Sequence, residues 1–375
     1  MTIRVYSSFD ELPEEVASRC AAARQTNLFL SLDWFRVLFE TSLASTLRPR
    51  IYVVFGPQGD TRCVLVCGTE IGSSARVLWS MSNYYTMEYA PIHCADAAQR
   101  DEAIDALVSH IAAERPRWTR LRLGLLVETN ADTARIAAAL EREGFDVQHF
   151  FQYENWYLPV AGSTFKDYFG SRSSQVRNTI SRKQKKLEKA HRVDIEVVAG
   201  DVPELAQKVR DFMTVYGSSW KQPEPHPGFI PALAGCCARL GILRLGLLYV
   251  DGQPAAAQLW ITVAGKATIY KLAYDERFAE LGVGSVLSKE MFRVAIDEDR
   301  VAEIDYGVGS EPYKRDWMSG VRRIEGLEAY NRKTIEGVLQ ILAGRAKRTV
   351  KPAWLAWLAW QRWSRTAAGR RDPTG

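Results

Sequence analysis

Hydrophobic and polar positions follow two different spacings along this chain. Short apolar runs bounded by turn residues predict strands, and two of them, at 50–55 and 63–69, are joined by the turn sequence Gly-Pro-Gln-Gly-Asp. Apolar residues at helical spacing predict helices, as over 203–220, where one face carries a stripe of large side chains. Because strands and helices alternate with short loops, the pattern predicts a mixed α/β (α+β) fold.

The predicted elements occur in a similar order in the two halves of the chain. Each half reads as helix, helix, hairpin, helix and strand, although no close sequence repeat is present. A length of 375 residues also suits two domains of roughly 150 residues each. We therefore expect two related domains, over residues 1–160 and 161–335, followed by a basic tail over 336–375.

The composition is that of an ordinary globular protein, but the charge is unevenly distributed. The chain is 47% hydrophobic with a formal charge of +5, which excludes a disordered or fibrous protein. Residues 171–192 and 341–375 each carry eight basic residues and one acidic residue, so the rest of the chain is net acidic. Two anion-binding regions are therefore expected, for a phosphate-bearing cofactor, an anionic membrane or nucleic acid. Nucleic acid is disfavoured because segment 171–192 has no interleaved aromatic residues.

The six cysteines and five histidines form no metal-binding pattern. No CxxC, HxxxH or HExxH spacing occurs, so no metal is expected, and the cysteines are interpreted as small buried hydrophobic residues. No apolar run reaches the roughly 18 residues needed to cross a bilayer, and the N-terminus lacks the features of a signal peptide. We therefore expect a cytoplasmic protein.

The most informative segment extends from residue 266 to residue 317. A predicted strand ends near Tyr274, a turn with two glycines follows, and an amphipathic helix begins. This arrangement directs free backbone N–H groups and the positive end of a helix at one point. The glycines also allow a phosphate to approach the backbone closely. The pattern therefore predicts an anion-binding loop formed by Gly282, Val283, Gly284 and Ser285.

Two motifs in this segment resemble those of a known family. The first reads Tyr270-Lys271-Leu272-Ala273-Tyr274-Asp275 and precedes the two glycines. The second reads Asp305-Tyr306-Gly307-Val308-Gly309 and continues to Tyr313-Lys314 and Trp317. They resemble the GNAT-fold acyltransferases of the CelD-type group of cellulose biosynthesis, which is related to the FemAB peptidyltransferases. Further similarities at 29–34, 177–183, 219–220 and 251–254 extend the resemblance over most of residues 25–330.

The resemblance implies a tandem GNAT fold and an acyl-CoA-dependent N-acyltransferase. Acyl-CoA would be the donor substrate, with its pyrophosphate on the glycine loop, and a primary amine would attack the thioester. Such a transfer needs a base for the ammonium group, hydrogen-bond donors for the thioester oxygen and an acid for the leaving thiolate. On this basis Asp275 or Asp305 is the expected base or amine ligand, and Tyr313 is the expected acid.

The remaining site assignments follow from the same resemblance. Lys271 and Arg177 are expected to bind the cofactor, and the residues expected to bind substrate are Lys314, Trp220 and Tyr274. The family usually has Gln or Arg three residues before the first loop glycine, but this chain has Ala279, so a plain acetyl donor is less well supported. The aromatic Asn83-Tyr84-Tyr85 loop is a candidate lining of the acceptor side.

The absence of other motifs narrows the chemistry. No Ser-His-Asp, Cys-His or GxSxG arrangement is present, so direct transfer is favoured over a covalent acyl-enzyme. No P-loop or dinucleotide motif follows a strand, which disfavours nucleotide hydrolysis and NAD chemistry.

The tail has a pattern of its own. Four tryptophans at three-residue spacing lie among Lys and Arg residues over 351–371. This combination is typical of a helix lying on an anionic membrane. Packing against the protein body or a second subunit, and disorder, are the alternatives. We therefore expect a cytoplasmic enzyme, peripheral on the inner membrane face, that acylates an amine of a lipid-like molecule or of an exopolysaccharide precursor. FemAB-like transfer from aminoacyl-tRNA, and a non-catalytic GNAT-like assembly factor for polysaccharide synthesis, are the alternatives.

Overall fold

A mixed β-sheet runs through the described part of the chain. The structure, a computed structural model, describes residues 1–94, 96–309 and 311–345. The strands within these ranges are β1 (Thr2–Tyr6), β2 (Leu47–Phe55), β3 (Thr61–Glu70), β4 (Val77–Ser80), β5 (Ile92–His93), β6 (Arg120–Val127), β7 (Phe145–Pro159), β8 (Val193–Ala199), β9 (Leu243–Val250), β10 (Gln253–Val263), β11 (Lys266–Tyr274), β12 (Glu303–Asp305) and β13 (Gly320–Asn331).

Helices cover the sheet. They are α1 (Glu14–Arg24), α2 (Leu32–Leu38), α3 (Ala97–Ala113), α4 (Ala131–Arg142), α5 (Phe165–Ser171), α6 (Ser174–Ala190), α7 (Leu205–Gly217), α8 (Phe229–Arg239), α9 (Val283–Arg293) and α10 over 335–345. A short 3₁₀ helix, Glu276–Leu281, precedes α9, and another, Pro312–Asp316, precedes β13. The mixed α/β fold class predicted from the sequence is confirmed.

The strand order joins the two halves of the chain into one sheet. The order is β1-β2-β3-β4-β6-β13-β7-β12-β11-β10-β9-β8, with β5 beside β3. The last strand, β13, therefore lies between β6 and β7, and it is antiparallel to both. Strand β7 in turn pairs with β12. The predicted domain boundary near residue 160 falls directly after β7, and the domain limits themselves stay a prediction.

Two hydrophobic clusters lie on opposite faces of the C-terminal half of the sheet. Successive strand residues point to opposite faces, so Leu259 and Ile261 of β10 belong to one cluster and Trp260 belongs to the other. The first cluster continues into α7, α8 and the N-terminal half. The second is formed with α5, α6 and α9. The C-terminal half is thus a sheet between two helical layers.

The predicted Trp-rich helix over 351–371, with its membrane contact, lies outside the described residues. The described part of the tail is α10, which directly follows β13. Among the helices of the described ranges, none has the length and apolar character required to span a bilayer.

Candidate active site

The site begins where two parallel strands diverge. Strands β11 and β12 pair at three positions, from Lys266 opposite Glu303 to Thr268 opposite Asp305. Beyond that point β11 continues to Tyr274, paired with β10 on its other side. Gly307 follows β12 with a φ of +63°, and a Cβ there would lie 3.2 Å from the carbonyl oxygen of Ile269. A glycine is therefore needed where the segment after β12 turns away from β11. Beyond this point one edge of β11 has no partner strand among those described.

A cavity of about 750 Å³ opens at this divergence. Its walls come from both halves of the chain: β4 and the loop after it, β6, β7, β11 and the segment after β12. Three predicted site residues, Lys271, Tyr313 and Lys314, line it together. The Asn83-Tyr84-Tyr85 loop also lines it. The structure thus brings these parts of the chain together around one space.

Glu224 holds one side of the cavity together. It lies in the loop between α7 and α8, and its carboxylate accepts hydrogen bonds from Lys271 Nζ at 2.7 Å, Tyr85 Oη at 2.8 Å and Tyr84 Oη. Burial opposes ionisation of this carboxyl, but the bonds from Lys271 and Tyr84 outweigh that effect and hold its pKa below its ordinary value. Glu224 is therefore a buried anion that links the N-terminal half to β11.

Lys314 is buried in the part of the wall formed by the segment after β12. Its ammonium group donates to the carbonyl oxygens of Val308 and Gly309, at 2.5 and 3.0 Å, and lies 2.9 Å from Glu311 Oε2. Burial lowers the pKa of Lys314, although the bond to Glu311 opposes this change. Because its donors are used by the segment that follows β12, Lys314 shapes the cavity wall.

Lys221 differs from the other two cavity lysines. It makes cation–π contacts with Tyr216 and Trp220, but it forms no ion pair with a carboxylate of the described residues. Burial, followed by the positive charge of Lys271, lowers the pKa of Lys221 to about 8. Near neutral pH a measurable fraction of this amine is therefore unprotonated and able to accept a proton.

Tyr313 offers a phenol to the same space. Its ring packs edge-on against Tyr306 at 5.7 Å, and its side chain is 40% exposed. Its hydroxyl makes no hydrogen bond within the described ranges. Burial and then the negative charge of Glu311 raise the pKa of Tyr313, so the hydroxyl stays protonated and is free to donate.

The predicted glycine loop lies beyond the cavity, at the far end of β11. Gly282 has a left-handed φ of +71° and begins α9 without a side-chain cap. A Cβ at Gly282 would clash with Cδ of Lys183 of α6, and one at Gly284 would lie 3.0 Å from the ring of Tyr274. The N-terminal end of α9 therefore lies beside Lys183 of the basic helix α6. Val283 is buried and Ser285 is exposed.

Tyr274 and Trp220 connect the loop to the cavity. Their rings lie 4.5 Å apart at the end of β11. Trp220 precedes Lys221 of the cavity wall, and Tyr274 lies three residues after Lys271, or roughly 10 Å along the strand. The open edge of β11 therefore runs between the two regions.

The two predicted aspartates lie far apart. Asp305, one of the two expected bases, faces Thr268, which precedes Asp275 by seven residues. At about 3.3 Å per residue that separation exceeds roughly 20 Å. Neither aspartate is among the residues that line the cavity.

Both aspartates are engaged in ion pairs. Asp275 caps the backbone N–H of Arg277 and pairs with its guanidinium at 2.7 Å, which holds the pKa of Asp275 low. Asp305 is bound by Asn155, at 2.7 Å, and by Lys266, at 2.8 Å. Burial opposes its ionisation, but the charges of Lys266 and Arg322 hold its pKa low. Two carboxylates that are stabilised as anions are weak bases.

Arg177 lies in the first turn of α6, six residues before Lys183. Its Nε donates to the backbone carbonyl of Arg172 at 3.1 Å. Lys183, about 9 Å further along the helix, is the basic side chain that contacts the glycine loop.

Sequence reasoning missed Lys221, Glu224 and Glu311. The first two lie in the proline-rich stretch 221–227, whose composition predicts only a loop. Binding residues often lie in loops. The two opposite charges in this stretch, Lys221 and Glu224, were therefore the available signal of a functional loop. No cluster of three or more potential metal ligands occurs in residues 1–94, 96–309 and 311–345.

Part of the chain matches a known protein family. Residues 174–315, less than half of the chain, match the family model described as acetyltransferase (GNAT) domain. This range includes Lys221, Glu224, the glycine loop and Lys314. The chain therefore contains a GNAT-type acetyltransferase domain, and the finer assignment to the CelD-type group stays a prediction. No curated protein sequence matches the chain.

Several solved structures share the fold. FemX superposes with a TM-score of 0.59 at 11% identity, covering 84% of this chain and 96% of FemX. L-PGS from Bacillus licheniformis gives 0.53 at 13% identity, covering 90% and 98%. A domain described as the C-terminal domain of a lysylphosphatidylglycerol synthetase from Agrobacterium fabrum gives 0.52 at 11% identity, covering 87% and 94%. At these identities the likeness concerns the fold alone.

Proposed function

We propose that the chain is an acyl-CoA-dependent N-acyltransferase that transfers an acyl group from a CoA thioester to a primary amine held in the cavity. One observation carries the proposal. The point where β11 and β12 diverge lies within the segment that matches the GNAT domain, and the cavity opens at that point. A donor lying along the open edge of β11 would place its thioester at the cavity and its phosphates toward Gly282 and Lys183.

Lys221 is the proposed base. The attacking amine must lose a proton, and an efficient base has a pKa close to the working pH. Lys221 lines the cavity, forms no ion pair within the described residues, and has a pKa of about 8. Asp275 and Asp305, the bases expected from the sequence, lie outside the cavity as stabilised anions. We therefore assign proton removal to Lys221 in their place.

Tyr313 is the proposed proton donor for the sulfur. As the amine attacks, negative charge develops on the thioester oxygen and then on the leaving thiolate. Backbone N–H groups at the open edge of β11 are suited to the oxygen. The unpaired hydroxyl of Tyr313 is suited to hydrogen-bond the thiolate or donate a proton to it. The products are the N-acyl amine and free CoA.

The acceptor is proposed to carry a negative charge as well as its amine. The cavity is lined by Lys221, Lys271, Lys314 and Arg122 against the carboxylate of Glu311. Glu224, which binds Lys271, is the other nearby carboxylate, so the surroundings are net cationic. Aromatic rings form much of the remaining wall. An amine on an anionic, partly apolar molecule would suit this lining, and both a lipid-like amine and an exopolysaccharide precursor meet that description.

A second candidate is transfer of an aminoacyl group from tRNA. The likeness in fold to FemX and L-PGS over more than four fifths of the chain favours it. The basic helix α6, which contacts the glycine loop, would then bind the RNA backbone instead of the phosphates of CoA. The amine would then attack an ester instead of a thioester, and the leaving group would be a ribose hydroxyl, whose oxygen takes up the proton donated in the cavity.

Ligand-dependent stabilisation distinguishes the two donors. A ligand at one hundred times its Kd adds about 2.7 kcal/mol of stability, or roughly 3 °C in Tm for a chain of this size. We expect such a shift with CoA, acetyl-CoA or palmitoyl-CoA, and its loss in Lys183→Glu. The control is Lys185→Glu, which changes an exposed lysine on another face of the same helix. A shift with aminoacyl-tRNA and none with any CoA species would reject the CoA donor.

A further inference from the structure

Helix α10 leaves a row of apolar side chains exposed. Ile335, Val338, Leu339 and Leu342 are 82%, 39%, 59% and 55% exposed. At about 100° per residue they cover an arc of roughly 100° on the helix. Large side chains on one arc of a helix normally face a protein core. Here they form a continuous apolar stripe on the outside.

The opposite face of the same helix is the one that packs against the protein. Gly337 and Ile341 are buried, and a Cβ at Gly337 would clash with the backbone carbonyl of Asn331 at the end of β13. At the C-terminal end of the helix, Arg345 lies 3.7 Å from Asp146, which also pairs with Arg332. The orientation of α10 is therefore fixed by these contacts, and the apolar stripe faces outward because of it.

The charges around the stripe are net positive. Arg332, Lys333 and Arg345 flank the helix, and the acidic residues near them are Glu336 of α10 and Asp146, which pairs with both arginines. The sequence that follows, 346–375, adds seven basic residues and one acidic residue, together with four tryptophans. Apolar side chains bordered by Lys and Arg bind the interface of an anionic bilayer through both hydrophobic burial and charge attraction.

We propose that the stripe formed by Ile335, Val338, Leu339 and Leu342 docks on the surface of an anionic lipid bilayer. The net charge favours a bilayer over the other possible occupants of the stripe. If segment 346–375 or a second copy of the chain covered the stripe, two net positive groups would be brought together. An anionic lipid surface would instead neutralise both groups while burying the apolar side chains. This inference does not depend on the proposed acyl transfer.

The test is co-sedimentation of the full chain with vesicles. Wild type is expected to bind vesicles of phosphatidylcholine containing phosphatidylglycerol, and to bind pure phosphatidylcholine vesicles much less. The double variant Leu339→Ser, Leu342→Ser removes apolar area without adding charge, and we expect its partitioning to fall by about tenfold or more. Ile71→Ser is the matched control, because Ile71 is an exposed apolar side chain elsewhere, and it should bind like wild type.

Three results would overturn the proposal. The first is wild-type binding that is equal on neutral and anionic vesicles, or absent on both. The second is unchanged binding of the double variant, which would leave the stripe without a role. The third is a dimer of wild type in light scattering that the double variant abolishes, which would assign the stripe to a second copy. Tm of each variant checks that the fold is intact, and the exposed positions should leave it unchanged.

Discussion

The substitution Glu224→Gln removes a negative charge that joins three groups from two parts of the chain. The carboxylate is 2% exposed and accepts bonds from Lys271, Tyr84 and Tyr85. Glutamine has nearly the same shape, so the change tests the charge and not the packing. The variant leaves the ammonium of Lys271, which is 11% exposed, without an anion and near Lys221.

The size of the effect follows from the burial of the pair. Removing one member of a buried ion pair costs about 3–5 kcal/mol, because the other charge stays buried. The glutamine oxygen can still accept one of the three bonds, so the lower end, about 3 kcal/mol, is expected. An unfolding entropy of about 2.1 cal/mol/K per residue gives this chain roughly 0.8 kcal/mol/K, and Tm should therefore fall by about 4 °C.

The effect should depend on pH in one direction. The pKa of Glu224 is lowered in the folded state, so its contribution is complete above the ordinary carboxyl value of 4.5. The contribution is lost as pH falls through the lower folded pKa, where the wild-type side chain also becomes neutral. The difference in Tm between wild type and variant should therefore be constant near pH 7 and shrink below about pH 4.5.

Calorimetry or circular dichroism measures both quantities. The matched control is Glu290→Gln, which breaks an ion pair with Arg293 whose side chains are 31% and 37% exposed. An exposed pair contributes about 0–1 kcal/mol, so this control should lower Tm by no more than about 1 °C. Equal effects of the two substitutions, or a Glu224→Gln difference that stays constant down to pH 3, would refute the role assigned to the buried charge.

Three further predictions concern proton transfer and thiol chemistry. If Lys221 is the base, kcat/KM should rise with pH to a plateau above about pH 8, because the side-chain amine of Lys221 must be neutral to accept a proton. Lys221→Met should abolish this pH-dependent rise, and a rise that survives in the variant would exclude Lys221 as the base. Tyr313→Phe should lower kcat by about a hundredfold with Tm unchanged, because its hydroxyl has no partner in the described structure; full activity would exclude it as the acid. The sulfurs of Cys20 and Cys94 lie 3.2 Å apart, so mild peroxide should oxidise the two thiols to a disulfide with loss of two hydrogen atoms. Mass spectrometry should then detect a disulfide-linked peptide pair, and the absence of this pair would contradict the geometry.

Local features of the fold could be predicted from the sequence. Gly282 marks the start of α9, since glycine permits the left-handed φ found there. Apolar periodicity also predicts the helices and most strands. These signals act within a few residues, so a single sequence carries them.

The arrangement of distant elements could not be predicted in the same way. Nothing in the periodicity of β13 indicates that it lies between β6 and β7, because alternation of apolar residues does not name a partner strand. The lining of the cavity could not be predicted for the same reason. Tyr84 and Glu224 are hydrogen-bonded although they lie 140 residues apart in two irregular loops. The motif residues Lys271, Tyr313 and Lys314 were found, and the charged loop residues that complete their surroundings were not.

Strand β13 relates the cavity to the apolar stripe of α10. Gly326 of β13 lies opposite Phe150, which lines the cavity, and Asn331, five residues later, contacts the buried face of α10. The strand is hydrogen-bonded on both sides, so about 17 Å of fixed backbone separates the two positions. The rigid connection also makes the two proposals separable. Loss of vesicle binding in the Leu339→Ser, Leu342→Ser variant should leave stabilisation by a CoA ester intact, and Lys183→Glu should have the opposite pair of effects.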